Sequence, residues 1–324
     1  MAHSAGDPAR RTTGSVLVIG SANVDVAVTT ARLPRPGETV RGDRALVSLG
    51  GKGANQAVAA ALSGAASALA ARIGDDAFAS IVRDGLARRG VDTTDVAAIA
   101  GATTGLAAIY VDAGAQNCIV VVPGANDLLT PEAVDRLAPR IEAAGVVVLQ
   151  CEIPQASVAR AVEIAAAAGR PVVMNPAPVQ GFDLDAVAGR ISWLVPNETE
   201  AAELLGRPVA TPADAADGAR ALVARGVANA VVTLGAQGCV AASRAGVRHY
   251  PAPPVDALDT TGAGDAFVGC LAAALASGRA PEDAIGRALL YAALSTTRYG
   301  AQASYPDRAT FEQALAARVA PSRP

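Results

Sequence analysis

The chain has 324 residues, 51% of them hydrophobic and 18% charged, which is enough apolar material for a large core and too much for intrinsic disorder. Its 27 basic and 30 acidic residues leave a net charge of −3, so no broad positive surface for nucleic acid or an anionic membrane is expected. Four cysteines without C-x-x-C spacing and two histidines, His3 and His249, leave little material for a disulfide framework, a multi-histidine metal site or a histidine-based nucleophile; an enzyme built from this sequence would use a carboxylate as its base.

The opening MAHSAGDPARRTTG has paired arginines but no apolar stretch after them, so residues 1–14 read as a tail rather than a signal peptide, and a cytoplasmic address is expected. A first strand, VLVIG (16–20), runs into SANVD, which brings Asn23 and Asp25. Residues 24–49 and 103–124 alternate with period two, the second around an AGAQ turn; they read as strands of a small separate sheet, a lid over the main sheet's carboxyl edge. The uncharged stretch from Gly53 to Ala71 is mostly Ala with Asn55 and Gln56 among it, too polar to cross a membrane. Just before it lies Lys52, the single lysine against 26 arginines, set between glycines in LGGKGANQA. A slim ammonium suits a place where Arg would obstruct access; chance survival under codon bias is the alternative.

Further along, VVVL (146–149), PVVM (171–174), WLVP (193–196) and AVVTLG (230–235) are continuously apolar, as strands buried on both faces of a parallel sheet are. Helices are predicted over 131–145, 157–169 and 213–226, each ending at a glycine. The fold expected is α/β, an open, mostly parallel sheet flanked by helices in a Rossmann-type three-layer arrangement with a small β-sheet lid, one core over 15–315 and a tail over 316–324. Ligands of such sheets bind beyond the carboxyl ends of the strands. The residues placed there are polar each time: Asn23 and Asp25, then Glu152, Asn175, Asn197 with Glu198 and Glu200, and Thr233 before Gly235. Each alone could be a turn or cap residue, but five on one edge point to a polar ligand.

The sharpest element is ALDTTGAGDAFVGCLAAALASG (257–278), a Gly-rich turn opening a helix with apolar positions at Phe267, Cys270, Leu271, Ala274 and Leu275. Gly262, Ala263 and Gly264 would present backbone N–H groups at the positive end of the helix dipole, a site suited to phosphate. Asp265 in that first turn either complements the dipole or accepts a hydroxyl proton beside the phosphate. Neither GGKGANQ nor GAGDAF completes a P-loop or G-x-G-x-x-G.

In order along the chain, GSANVD (20–25), GGKGANQA (50–57), NPAP (175–178), PNETEA (196–201), TLGAQG (233–238) and DTTGAGDAF (259–267) resemble the ribokinase (PfkB-type) carbohydrate kinases over roughly residues 15–310. The first three motifs look like the ribokinase branch. The resemblance implies ATP-dependent phosphorylation of D-ribose at its 5-hydroxyl, with Mg²⁺. It assigns Asp265 as base and Gly262, Ala263 and Gly264 as the anion hole. Asn23, Asp25, Gly51, Lys52, Gly53, Asn55 and Glu152 would hold the sugar, and Asn197, Glu200, Thr233, Gly235, Gly238 and Gly264 the nucleotide and its Mg²⁺. A monovalent cation, usually K⁺, would sit by Asp259, Thr261, Ser295, Arg298, Gly300 and Ser304, several through backbone carbonyls. Tyr299 and Ala303 depart from the commoner pattern of that loop. A homodimer through the lid is also implied. The alternatives are a kinase for 2-deoxyribose, a ketohexose or a nucleoside, and, in another class, a sugar-binding regulatory protein without turnover.

Overall fold

The computed structural model describes residues 14–114 and 116–319. Residues 1–13 of the expected leading tail and 320–324 of the trailing one lie outside them. The last helix, Arg308–Val319, continues past the boundary expected at 315, so residues 316–319 are helical rather than tail.

The strands, in chain order, are β1 (Ser15–Ile19), β2 (Asn23–Thr30), β3 (Gly42–Gly50), β4 (Ala66–Gly74), β5 (Val96–Ile99), β6 (Gly105–Val111), β7 (Asn117–Val122), β8 (Val146–Leu149), β9 (Val172–Met174), β10 (Trp193–Leu194), β11 (Asn229–Thr233), β12 (Cys239–Ser243) and β13 (Gly246–Tyr250). Among the described residues they form two sheets. The larger has the order β13-β12-β11-β10-β9-β8-β1-β4-β5, parallel from β11 to β5, with β12 and β13 added antiparallel at one edge. Continuous apolar strands such as β8 are buried along their whole length because helices cover both faces. This is the expected ribokinase-like three-layer α/β fold.

The smaller sheet, β3-β2-β6-β7, comes from the two segments expected to form a lid. Its outer pairs are antiparallel but the central pair β2–β6 is parallel, so it is a mixed sheet rather than two joined hairpins. β2 follows β1 after only Gly20–Ala22, so the lid leaves the main sheet at the carboxyl end of a central strand.

Two differences from expectation have local causes. The helix expected over 131–145 is two pieces, Pro131–Asp135 and Ala138–Ala143, because Pro139 has no N–H to bond back into the preceding turn. The uncharged stretch 53–71 spans the helix Lys52–Leu62 and the start of β4, whose alanines carry little strand signal.

Candidate active site

The carboxyl ends of β11, β10, β9, β8 and β1 lie side by side in the sheet, so Thr233, Asn197, Asn175, Glu152 and the Ser21–Asp25 segment line one edge in that order. Two of the helices that begin at this edge start from glycines. Lys52–Leu62 starts from Gly51, whose φ of 87° and whose missing Cβ, which would stand 2.8 Å from the Asn23 nitrogen, both call for glycine. Ala263–Ala276 starts from Gly262 at φ 75°, where a Cβ would meet the Ala301 methyl at 2.8 Å. No side chain caps the Gly262 helix, so its first turn is open to a ligand, whereas the first amides of the Lys52 helix are already taken by Glu152 and Ser21. The Tyr305 hydroxyl donates to the Gly262 carbonyl at 2.9 Å and holds the turn from behind.

The two helices pack closely because Gly269, one turn beyond Asp265, has no Cβ; one there would lie 2.4 Å from the Gln56 carbonyl oxygen. The approach brings two amides onto Asp265, which is buried at 7% exposure. Asn55 Nδ2 donates to Oδ2 and Gln56 Nε2 to Oδ1, each at 2.9 Å. Both carboxylate oxygens are thus engaged by neutral donors, and each keeps acceptor capacity for a proton.

Glu152 Oε2 accepts from the Lys52 backbone N–H at 2.9 Å and from the Ser21 hydroxyl at 2.5 Å. The Ser21 oxygen in turn accepts from the Gly53 N–H at 3.2 Å. Gly53 therefore serves close packing: its Cβ would lie 2.6 Å from Ser21 backbone atoms. Asn23 and Asp25 share one face of β2, as period two requires. Asn23 Oδ1 accepts from Asn126 Nδ2 at 2.7 Å, and the Asp25 carboxylate occupies the space that a side chain at Gly50 would fill. Burial, with the nearby charges of Glu152 and Asp265, pushes the Asp25 carboxyl up from 3.8 to about 6. Lys52 has the opposite surroundings. Burial alone would lower its pKa, but Asp265, Glu152 and Glu200 together outweigh that and raise it, so the ammonium stays charged.

Lys52, Asn175, Asn197, Glu200, Thr233, Gly264 and Asp265 line a polar cavity of about 190 Å³. Thr233 and Gly264 also line a second, larger cavity of about 400 Å³ walled by Gly235, Gly238, Pro253, Val255, Phe267 and Leu289 among others. The two are adjacent, with the start of the Asp265 helix between them. Asn197 and Glu200 form a reciprocal capping box on the helix Glu198–Leu205, which fixes both side chains at the cavity's rim. Burial raises the Glu200 carboxyl, with the Asn197 N–H and Lys52 pulling the other way.

The six residues expected around a monovalent cation are partly brought together. Asp259 Oδ1 accepts from the Thr261 N–H and hydroxyl at 2.9 and 2.6 Å, and Oδ2 from the Gly300 N–H at 2.8 Å, which stitches the turn before the helix to the loop 296–304. Ser295 and Ser304 are buried with their hydroxyls on local carbonyls, and the Arg298 side chain is exposed. Among the described residues no group of three or more His, Cys, Asp and Glu gathers as a metal site, so cation binding here has to rely on carbonyl, hydroxyl and single carboxylate oxygens.

Sequence reasoning missed the layer behind these groups: Gln56, Asn126, Gln150, Gln302 and Tyr305. Gln150 follows a strand end and Gln56 lies inside GGKGANQA, so position alone could have flagged them; Gln302 and Tyr305 come from a distant loop and gave no such signal.

Residues 13–308 match the model of the pfkB family carbohydrate kinases. The chain is 39% identical to a deoxyribokinase of Salmonella typhi over 301 residues, 93% of this chain and 98% of the relative. It is also 39% identical to a ribokinase of Mus musculus over 306 residues, 93% and 94% of the two chains. A solved structure of Arabidopsis thaliana ribokinase complexed with ribose and ATP superposes with a TM-score of 0.86 at 31% identity, covering 93% of this chain and 98% of that one. With a family match from residue 13 to 308 and relatives alike over more than nine tenths of its length, this chain belongs to the pfkB family of carbohydrate kinases.

Proposed function

We propose that this enzyme transfers the γ-phosphoryl group of ATP to the 5-hydroxyl of D-ribose, giving D-ribose 5-phosphate and ADP. The observation that carries the reading is the position of Asp265: buried, at a glycine-capped helix start, and lining the polar cavity that adjoins the larger one. Asp265 takes the hydroxyl proton as the sugar oxygen bonds to the γ-phosphorus. The bond from that phosphorus to the β,γ-bridging oxygen breaks, and ADP leaves with its electron pair. Charge spread over the transferring group is met by the amides of Gly262, Ala263 and Gly264 and by the Lys52 ammonium, so positioning and charge neutralisation supply most of the catalysis.

In this reading Asn23, Asp25, Gly51, Lys52, Gly53, Asn55 and Glu152 hold the sugar's hydroxyls, and Asn197, Glu200, Thr233, Gly235, Gly238 and Gly264 border the nucleotide. Mg²⁺ bound with ATP would neutralise the phosphates; Glu200 at the cavity's rim suits an ion that takes one or two carboxylates and keeps several waters. Asp259, Thr261, Ser295, Arg298, Gly300 and Ser304 offer carboxylate, hydroxyl and carbonyl oxygens to K⁺ or a similar cation, which would brace the loop already tied to Asp259. The enzyme acts in the cytoplasm as a homodimer through the lid: Leu46, Val47, Ile119, Val120, Val121 and Val122 are about half exposed on its two edge strands, an apolar area suited to pairing. Among the described residues no helix is long and apolar enough to cross a membrane.

A second reading, 2-deoxyribose as substrate, is supported by the deoxyribokinase relative at equal identity. ADP release measured over ribose, 2-deoxyribose, ketohexoses and nucleosides, with and without K⁺, separates them. Ribose with the highest kcat/KM supports the first reading; 2-deoxyribose supports the second; no turnover on any sugar would overturn both.

A further inference from the structure

Asp265 is held by amides that are themselves held. Asn55, which donates to Oδ2, has its own Oδ1 bound by Gln302 Nε2 at 2.8 Å. Gln56, which donates to Oδ1, has its Oε1 bound by Gln150 Nε2 at 2.6 Å, and its nitrogen is shared with Asn175 Oδ1 at 3.0 Å. Asn175 in turn donates to the Val195 carbonyl at 2.9 Å. All five amide side chains are buried, at 8% exposure or less. Room is made for one of them by Gly20, where a Cβ would fall 2.0 Å from Gln150 Oε1.

An amide has a donor end and an acceptor end, so whatever binds one end decides what the other presents. A donor on Asn55 Oδ1 turns its NH₂ to Asp265, and a donor on Gln56 Oε1 does the same. The outer glutamines meet this demand at a cost: Gln150 Oε1 and Gln302 Oε1 are both buried without a hydrogen-bond partner within the protein. Such orphaned acceptors are rare in folded proteins. Here two occur together, each on a residue whose nitrogen is committed to a neighbour of the same carboxylate.

We propose that Gln150 and Gln302 are positioning residues for phosphoryl transfer, which fix the amides of Gln56 and Asn55 with their nitrogens toward Asp265. The inference rests on Asp265 being the base. Through it, the loop 296–304 and the carboxyl end of β8 both set the orientation of one carboxylate, although neither touches it by these side chains. With Gln302 gone, the Asn55 amide is free to turn over and bring an oxygen against the carboxylate; with Gln150 gone, Gln56 loses the donor on its oxygen and keeps only the hold of Asn175 Oδ1 on its nitrogen.

The test compares a glutamate and a methionine at each outer position, in the full chain. Gln302→Met leaves the Asn55 amide free, and Gln150→Met leaves the Gln56 amide held against turning only by Asn175 Oδ1. Gln302→Glu and Gln150→Glu supply an acceptor and drive the inner amide to turn over. Expected is a fall in kcat of about threefold or more for Met and about thirtyfold or more for Glu, with the KM for ATP unchanged. Combined with Asp265→Asn, whose side chain can meet either end of an amide, the Glu substitutions should add little to the loss in single-turnover rate. Met and Glu variants with equal kcat, or with differences that persist undiminished in the Asp265→Asn background, would overturn the proposal. Should the buried glutamates prevent folding, the Met variants decide: wild-type kcat for both overturns it, and lowered kcat at unchanged melting temperature and ATP KM supports it. If Asp265→Asn alone keeps wild-type turnover, it is the reading of Asp265 that fails; if that variant is inactive and the outer substitutions are without effect, only the present inference does.

Discussion

The two adjoining cavities are built on opposite plans. Around Asp265 the carboxylate and the amides beside it are already engaged by one another, in a space of about 190 Å³ edged by Lys52 and Glu200. Across the helix start, the cavity of about 400 Å³ is walled by Ala, Pro, Val, Phe and Leu, with threonines the only polar side chains among its lining. The first plan fixes atoms in place at the expense of tolerance; the second offers shape and leaves few groups to misorient. The contrast fits the proposed reaction: prior hydrogen bonding is concentrated where a proton and a phosphoryl group would move, and apolar wall suffices where a ligand would only be held.

Breaking the polar side should have the largest effect. Lys52→Met removes the ammonium that interacts with Asp265, Glu152 and Glu200 and is expected to lower kcat/KM by about a hundredfold to a thousandfold in steady-state assays. Loss of less than threefold would mean that the ammonium does not meet the developing charge.

The next effect is on pH. Asp25 binds its proton more tightly in the folded chain than in the unfolded one, since its carboxyl is raised from 3.8 to about 6 by burial and by Glu152 and Asp265. A raised acid favours the fold at low pH, and that contribution is lost as pH rises from about 4 through about 6. Sugar binding should show the opposite sign, because the hydroxyls need the ionised acceptor. The sugar KM is expected to rise about tenfold for each pH unit below 6, and Asp25→Asn should abolish that slope while raising the melting temperature above pH 6. A slope that survives the substitution assigns it to another group.

The smallest effect belongs to the apolar wall. Ala292→Leu narrows the larger cavity and should raise the KM for ATP several-fold, leaving the sugar KM within twofold of wild type. Equal changes in both would mean that the two cavities are not the separate seats described above.

Much of this was legible in the sequence. Continuous apolar strands ending in polar residues placed Asn23, Glu152, Asn197 and Thr233 on one edge, and the sheet order confirms that these strand ends are neighbours. The Gly262–Asp265 turn announced its helix. What could not be read was set by distance along the chain. Gln302 reaches Asn55 across 247 positions with no local pattern to mark it, and Gln150, though it stands just past β8, meets Gln56 across 94 positions, a pairing that no local pattern shows. β4 lay hidden in an alanine run, and β12 and β13 owe their strand form to pairing at the sheet's edge rather than to a strong alternation of their own.

The central claim is that Asp265 takes the proton of the sugar's hydroxyl beside a phosphoryl group held at the helix start. Asp265→Asn keeps the shape and the two amide neighbours but removes the charge. Rapid-quench measurement of one turnover, with ribose and ATP affinities taken by calorimetry on the same preparation, tests it most directly. Expected are affinities within about threefold of wild type and phosphoryl transfer slowed by about a thousandfold or more. Transfer at close to the wild-type rate would contradict it.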